Sequence, residues 1–479
     1  MPLIRPTAAA LLGTGLALAA VPAHAEPLTC QGQAVTVEGN VGTAGDDVMV
    51  VGPSADGTAS SGAGNDLVCI RLVTGREPFS YRLDAGPGDD RVFNESSDAN
   101  TRLTTVLGSG ADTYVGSDLV WESVVAGASV WPPLGDTSDV ETDTIDTRGG
   151  DDSVYSGSVT PGAKNRDSLA LGDGVDTLHF AGEQLGPAAD LGGDDNGLVL
   201  YPGLQGTTVD VDASQRLTTV DGRAALRWTG LVTSYSLLLD NLRTRFTGSE
   251  ETERLLADAV SAAEAGGVAP PPNPELRRDV DMRGGDDIVT LRDVVSGSLI
   301  GGEGRDAIEA GYCTELRVLL GETLTCDQQG VQFSAVVDAW EKVAAAGAYV
   351  KVVGTDGPDT IDARGAVARV SGRDGRDVLS ASISRGTTPE LWRAVIRGGD
   401  GADQITGSYQ EDRLVGGAGP DRVRASAGSD LALGGAGSDR LWGGKRADRL
   451  VGGPGRDRAD GEGGRDTCAA EERRSCERR

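Results

Sequence analysis

Residues 398–469 divide into eight consecutive units of nine: GGDGADQIT, GSYQEDRLV, GGAGPDRVR, ASAGSDLAL, GGAGSDRLW, GGKRADRLV, GGPGRDRAD and GEGGRDTCA. The sixth position is aspartate in every unit (Asp403, Asp412, Asp421, Asp430, Asp439, Asp448, Asp457, Asp466), and the eighth is always apolar, from Ile405 to Cys468. A register held over 72 residues is a structural repeat and not an accident of composition. Glycines at positions 1, 2 and 4 let the backbone turn through positive φ and aim its carbonyl oxygens at one point, to which position 6 adds a carboxylate. Such an oxygen-only donor set suits Ca²⁺ better than Mg²⁺, which demands tight octahedral geometry and resists dehydration. Positions 7 to 9 predict a short strand whose middle side chain points inward.

The pattern G-G-x-G-x-D-x-U-x resembles the hemolysin-type (RTX) calcium-binding nonapeptide repeat of exported bacterial proteins. The resemblance implies an all-β fold, a right-handed parallel β-roll or β-helix solenoid in which two nonapeptides make one coil and residues 18 apart stack on the same edge. The eight units then separate into two edges. One carries GGDGAD, GGAGPD, GGAGSD and GGPGRD, all intact, and predicts about three calcium sites between successive pairs of Asp403, Asp421, Asp439 and Asp457. The other, which includes Asp430 and Asp466, has Gln410 and Arg446 where position 4 calls for glycine, so weaker binding is expected there. Stacked carboxylates roughly 5 Å apart repel by about 1 kcal/mol in water and about 3 at an effective dielectric of 20. Ala432 and Ala459 at position 8 add little core to offset this, so the region from residue 398 onward is expected to be disordered without calcium and to fold on binding it.

Single copies of the same turn recur upstream at irregular spacing: GTAGDDVMV at 42, SGAGNDLVC at 61, AGPGDDRVF at 85, LGSGADTYV at 107, RGGDDSV at 148, LGDGVDTLH at 171, RGGDDIV at 283, GGEGRDAIE at 301, GTDGPDTID at 354 and GRDGRDVLS at 372. They add Asp47, Asp66, Asp90, Asp306, Asp359 and Asp377 to the candidate calcium ligands. Irregular coils are therefore expected at 26–269 and 276–397, with a proline-rich loop or linker at 270–275, the regular β-roll at 398–469 and a cap at 470–479. Thr208 to Asp258 aligns with Leu316 to Arg364, FTGSEETERLLAD matching VVGTDGPDTIDAR. In the first copy Glu250, Glu251, Thr252 and Glu253 replace Asp356, Gly357, Pro358 and Asp359, and Glu250 to Ala265 reads equally well as a helix begun by a Thr247-x-x-Glu250 capping box.

Composition fits this picture. The 479 residues include 71 glycines and 73 acidic against 44 basic side chains, for a net charge of −29. That balance disfavours nucleic acid as a partner and favours cations. Collagen is excluded by the lack of a G-X-Y period, and 19 aromatic residues are few for a conventional enzyme core. Arg5, the apolar run Ala8 to Val21 and Ala23-His24-Ala25 read as a secretory leader cleaved after Ala25, and no later apolar stretch is long enough to span a membrane, so an extracellular protein is expected. Six cysteines in an exported chain suggest disulfides. Fifteen connectivities are open, and pairing of nearest neighbours (Cys30–Cys69, Cys313–Cys326, Cys468–Cys476) is favoured.

No catalytic residue is singled out. His179, the one histidine after the leader, ends a degenerate repeat, and G-x-S-x-G and H-E-x-x-H are absent. Arg422, Arg440 and Arg458 recur at position 7, either as charge compensation for the aspartates or as an outward stripe for an acidic cell-wall or extracellular polymer. The reading is a secreted calcium-binding repeat protein with a structural or adhesive role. The alternative is an extracellular polysaccharide-acting enzyme on a β-helix, its site within 115–350.

Overall fold

The computed structural model describes residues 28–72, 79–127, 141–160, 162–204, 206–239, 241–258, 275–292, 296–383 and 393–477. The expected leader at 1–25 and residues 270–274 of the proline-rich segment lie outside the described residues. Among those described there is no helix, and almost every strand pairs in parallel with the strand one coil away.

In the regular region the register is the one the nonapeptide imposes. Gln404 pairs with Arg422, Arg422 with Arg440 and Arg440 with Arg458, while Arg413, Leu431, Arg449 and Thr467 form the equivalent row on the opposite sheet. Position 8 faces inward in all eight units and is buried throughout, from Ile405 to Cys468. This follows from strand alternation: with position 8 inside, positions 7 and 9 must face out. Each buried Leu, Ile or Val contributes about 1.5–3 kcal/mol, whereas Ala432 and Ala459 contribute much less.

The same architecture continues upstream in less regular form. One sheet stacks Val48–Val51, Leu67–Ile70, Arg91–Asn94, Thr113–Val115, Thr144–Asp146 and Ser168–Ala170, and the facing sheet stacks Phe79–Asp84, Thr101–Val106, Trp121–Val125, Ser153–Ser156, Thr177–Phe180 and Asn196–Leu200. A single apolar column runs between them and on into the regular region, from Met49 through Val68, Tyr114 and Leu198 to Leu441 and Cys468.

Two antiparallel meanders interrupt the parallel order. Thr208–Asp212, Leu217–Val220 and Arg223–Thr229 form the first; Ala307–Leu319, Thr323–Gln328 and Val331–Asp338 form the second. They fall in the two mutually aligned stretches. The helix considered for Glu250 to Ala265 is not formed over its described part: Arg254–Asp258 is a strand, paired in parallel with Val232–Leu238 on one side and Ile288–Leu291 on the other. Thr247 ends a strand instead of capping a helix. Backbone hydrogen bonds to two neighbouring coils outweigh the local preference of a Glu-rich run. Residues 259–265 of that run lie outside the described residues.

All three disulfides join nearest neighbours: Cys30–Cys69, Cys313–Cys326 and Cys468–Cys476. The last ties the final core position to the chain that leaves it.

Candidate metal centre

Each position 6 aspartate sits at the mouth of a glycine turn with its carboxylate directed into the coil edge. Asp403 donates its backbone N–H to Oδ1 of Asp421 at 2.9 Å, Asp421 to Asp439 at 2.9 Å, and Asp439 to Asp457 at 3.0 Å. On the opposite edge Asp412, Asp430, Asp448 and Asp466 are linked in the same way at 2.8–2.9 Å. Both rows are thus ladders, one rung per coil. All eight carboxylates are at most 3% exposed, so they are buried within the edge and not displayed on it.

At seven of the eight rungs one oxygen is used and the other is not; Asp412 is the exception. Oδ2 of Asp403, Asp421, Asp439, Asp457, Asp430, Asp448 and Asp466 is buried without a hydrogen-bond partner. An unsatisfied buried acceptor costs about 1–3 kcal/mol, and more when it is charged. At Asp421 and Asp430 desolvation is the first cause that pushes the carboxyl upward, and neighbouring carboxylates add to it: Asp421 rises to about 7 and Asp430 to about 8. Asp403 and Asp439 move in the same direction.

The glycines divide their labour differently from the expectation that positions 1, 2 and 4 all need positive φ. Positions 2 and 4 do, as at Gly417 (131°) and Gly419 (122°). Position 1 does not. Gly416 is required for space, because a Cβ there would lie 2.3 Å from Oδ2 of Asp421 and 2.4 Å from the carbonyl oxygen of Gly434. The cradle that a side chain would fill is therefore lined by the orphaned carboxylate oxygen of one coil and a glycine carbonyl of the next.

The residues present fit a hard cation. Among the described residues no three Asp, Glu, His or Cys side chains converge as a metal-holding group, so the rest of a calcium shell of six to eight oxygens must come from main-chain carbonyls, which these turns supply. Four segments, 141–158, 395–423, 415–445 and 442–471, match the family described as the RTX calcium-binding nonapeptide repeat. The chain carries RTX calcium-binding repeats. No curated protein matches the chain.

Ladders of the same kind extend well beyond the matched segments. Upstream, Asp47, Asp66, Asp90, Asp112, Asp143 and Asp167 form one ladder. Glu122, Asp152, Asp176 and Asn196 form a second, and Glu253, Asp287, Asp306 and Glu341 a third. Asp359 and Asp377 join the ladder of Asp403, which ends on Glu471. Steps of 14 to 35 residues accommodate the coils' different excursions.

Interior rungs other than Asp143 share the orphaned oxygen: Asp66, Asp90, Asp306 and Asp377 among the sequence candidates, and Asp112, Asp152, Asp176 and Asp287, which were not among them. Burial lifts Asp90 to about 8 and Asp152 to about 7. The four omitted aspartates lie in glycine turns visible in the sequence. Glu122 and Glu253 carried no such signal, because glutamate replaces aspartate and serine replaces the second glycine.

The first rung of every ladder is also contacted from its own turn, which at Glu122 still leaves Oε2 buried without a partner. A Ser or Thr at position 2 turns back onto the carboxylate: Thr43 N–H donates to Asp47 Oδ2 at 2.6 Å, Ser117 N–H to Glu122 Oε1 at 2.9 Å, Ser249 N–H to Glu253 Oε1 at 3.0 Å, Thr355 N–H to Asp359 Oδ2 at 2.6 Å and Ser408 N–H to Asp412 Oδ2 at 2.5 Å. Hydroxyls of Thr43, Ser249, Thr355 and Ser408 add a second bond. Asp47 and Asp359 therefore stand apart from the other ten candidates, since their second oxygen is already engaged.

The two edges of the regular region share the same rung-to-rung bonding, apart from the closed Asp412 at the start of the second. They differ in backbone strain, since Ser426 (80°), Arg446 (81°) and Glu462 (62°) hold positive φ where the intact edge uses glycine.

His179 lies between two tyrosines, stacked on Tyr155 at 4.0 Å between centroids, with Nδ1 3.2 Å from Tyr201 Oη. Burial pushes it down to about 4, so it is neutral near pH 7. Within 115–350 a groove of about 500 Å³ runs beside the second meander, lined in part by Glu315, Arg317 and Asp327. The Glu315 carboxylate there is paired with Arg317.

Proposed function

We propose that this protein is an exported calcium-responsive β-solenoid whose ladders close around Ca²⁺, with a structural or adhesive role outside the cell. The observation that carries this reading is the buried, unpartnered Oδ2 repeated at interior rungs beside a glycine-only cradle. Without a cation such an edge is a row of like charges removed from water, a costly arrangement; with Ca²⁺ the same atoms are ligands. Binding and ordering are then one process, because the donors converge only when successive coils are stacked. Export rests on the leader ending at Ala25 and on six cysteines that pair as three disulfides.

The test is far-ultraviolet circular dichroism and thermal unfolding of the chain from residue 26 onward, first metal-free and then with millimolar Ca²⁺. The expected result is a gain of β signal and a higher unfolding temperature with Ca²⁺, and little of either with Mg²⁺. Identical signal and unfolding temperature in both states would contradict the proposal.

A further inference from the structure

The outer face of one sheet in the regular region is basic in a chain of net charge −29. Arg422, Arg440 and Arg458 pair in register on successive strands, so their side chains recur once per coil, roughly 4.8 Å apart. All three are exposed, and among the described residues none has an ionic partner. Charge compensation of the aspartate ladders would appear as ion pairs, yet Asp421, Asp439 and Asp457 are buried and bonded to backbone. Two positions along the same face, Arg424 lies over the ring of half-buried Trp442, 4.8 Å from its centroid.

Three adjacent guanidiniums, which have Glu472 as the strand neighbour of Arg458 but no ion pair of their own among the described residues, repel one another by about 1 kcal/mol per neighbouring pair in water. That cost is offset when a ligand supplies one anion per coil. Guanidinium groups bind carboxylates in a two-pronged fork, and an aromatic–guanidinium platform offers a flat surface to a sugar ring. We infer that this face, built from Arg422, Arg440, Arg458, Arg424 and Trp442, binds a linear acidic polysaccharide with a carboxylate on each sugar. One carboxylate per sugar of an extended chain answers one guanidinium per coil. The inference rests on the proposed function for its extracellular setting and for the calcium that stacks the coils bearing this face.

The experiment is calorimetric titration of pentagalacturonate into the chain from residue 26 onward, with calcium present, against a triple variant Arg422→Gln/Arg440→Gln/Arg458→Gln. A fully methyl-esterified pentasaccharide and a five-nucleotide single-stranded DNA serve as comparison ligands. The expected result is binding that weakens with salt, falls at least about tenfold in the triple variant and is lost with the ester. Calcium titrated alone into both proteins should give the same isotherm, which separates failure of this inference from failure of the calcium reading. If the triple variant does not fold, Arg440→Gln alone decides, with an expected loss of about threefold. No binding of pentagalacturonate, equal binding by the variant, or equally tight binding of the DNA would overturn the inference.

Discussion

The backbone N–H of Asp403 donates to Oδ1 of Asp421, 18 residues later, at 2.9 Å. This one bond ties the coil repeat to the chemistry of the edge. It fixes each carboxylate on the coil before it and leaves the second oxygen free for a cation. It also explains why aspartate holds position 6 without exception in residues 398–469: asparagine would keep the acceptor and lose the charge, and glutamate would carry the carboxylate one methylene farther from the N–H it must meet.

Gly416→Ala tests the cradle. The new methyl group would meet Asp421 Oδ2 and the Gly434 carbonyl within 2.4 Å, and the carbonyl belongs to a stacked coil that cannot easily withdraw. We expect a loss of about 2 kcal/mol or more in calcium-bound stability by urea unfolding, together with one fewer calcium bound by calorimetry. Wild-type stoichiometry and stability would show that the space is not needed.

Thr355→Gly tests the closed first rung. It converts GTDGPD to GGDGPD, removes the hydroxyl that bonds Asp359, and lets residue 355 take a positive φ like that of Gly417, which would redirect the N–H that now bonds Asp359 Oδ2. The expected outcome is calcium stoichiometry raised by one and a metal-free form less stable by about 1 kcal/mol. Unchanged stoichiometry with unchanged stability would mean that threonine does not close the ladder.

Acidification should stabilise the metal-free fold. Asp421 and Asp152 are raised to about 7 and Asp430 and Asp90 to about 8, against about 4 for an aspartate in the unfolded chain. Between pH 4 and 8 the folded state therefore holds more protons than the unfolded one, and its stability falls as pH rises. Calcium competes with those protons, so the stabilisation it adds should grow over the same range. Urea midpoints at pH 4.5, 6 and 8, with and without Ca²⁺, check both trends. A metal-free midpoint that climbs with pH would contradict the account.

Much of this was legible in the sequence because spacing and stacking are the same information in a solenoid. The 18-residue offset places Arg422 beside Arg440 and Asp403 beside Asp421 with no further assumption. Legibility faded where the step length varied. Asp112, Asp152, Asp176 and Asp287 sit in recognisable turns, but steps of 19 to 34 residues concealed which turns share an edge. Glu253 was read as part of a potential helix because its neighbours favour one locally. The parallel strands on either side, which decide the matter, are 19 or more residues away and carry no local signature. Thr43, Ser249, Thr355 and Ser408 at position 2 mark first rungs, which only the stacking order reveals.

The central claim is that interior rungs bind Ca²⁺ through their second carboxylate oxygen. Its most direct test is calcium calorimetry on the chain from residue 26 onward, wild type against Asp421→Asn/Asp439→Asn. The amide keeps an acceptor for the N–H of Asp403 and of Asp421, while the buried charge is removed. The account predicts that the variant loses two or more calcium ions and that its metal-free form at pH 8 is more stable than wild type by about 1–2 kcal/mol, less than the full linkage value because solvent screens part of the charge. Wild-type calcium binding by the variant would contradict it.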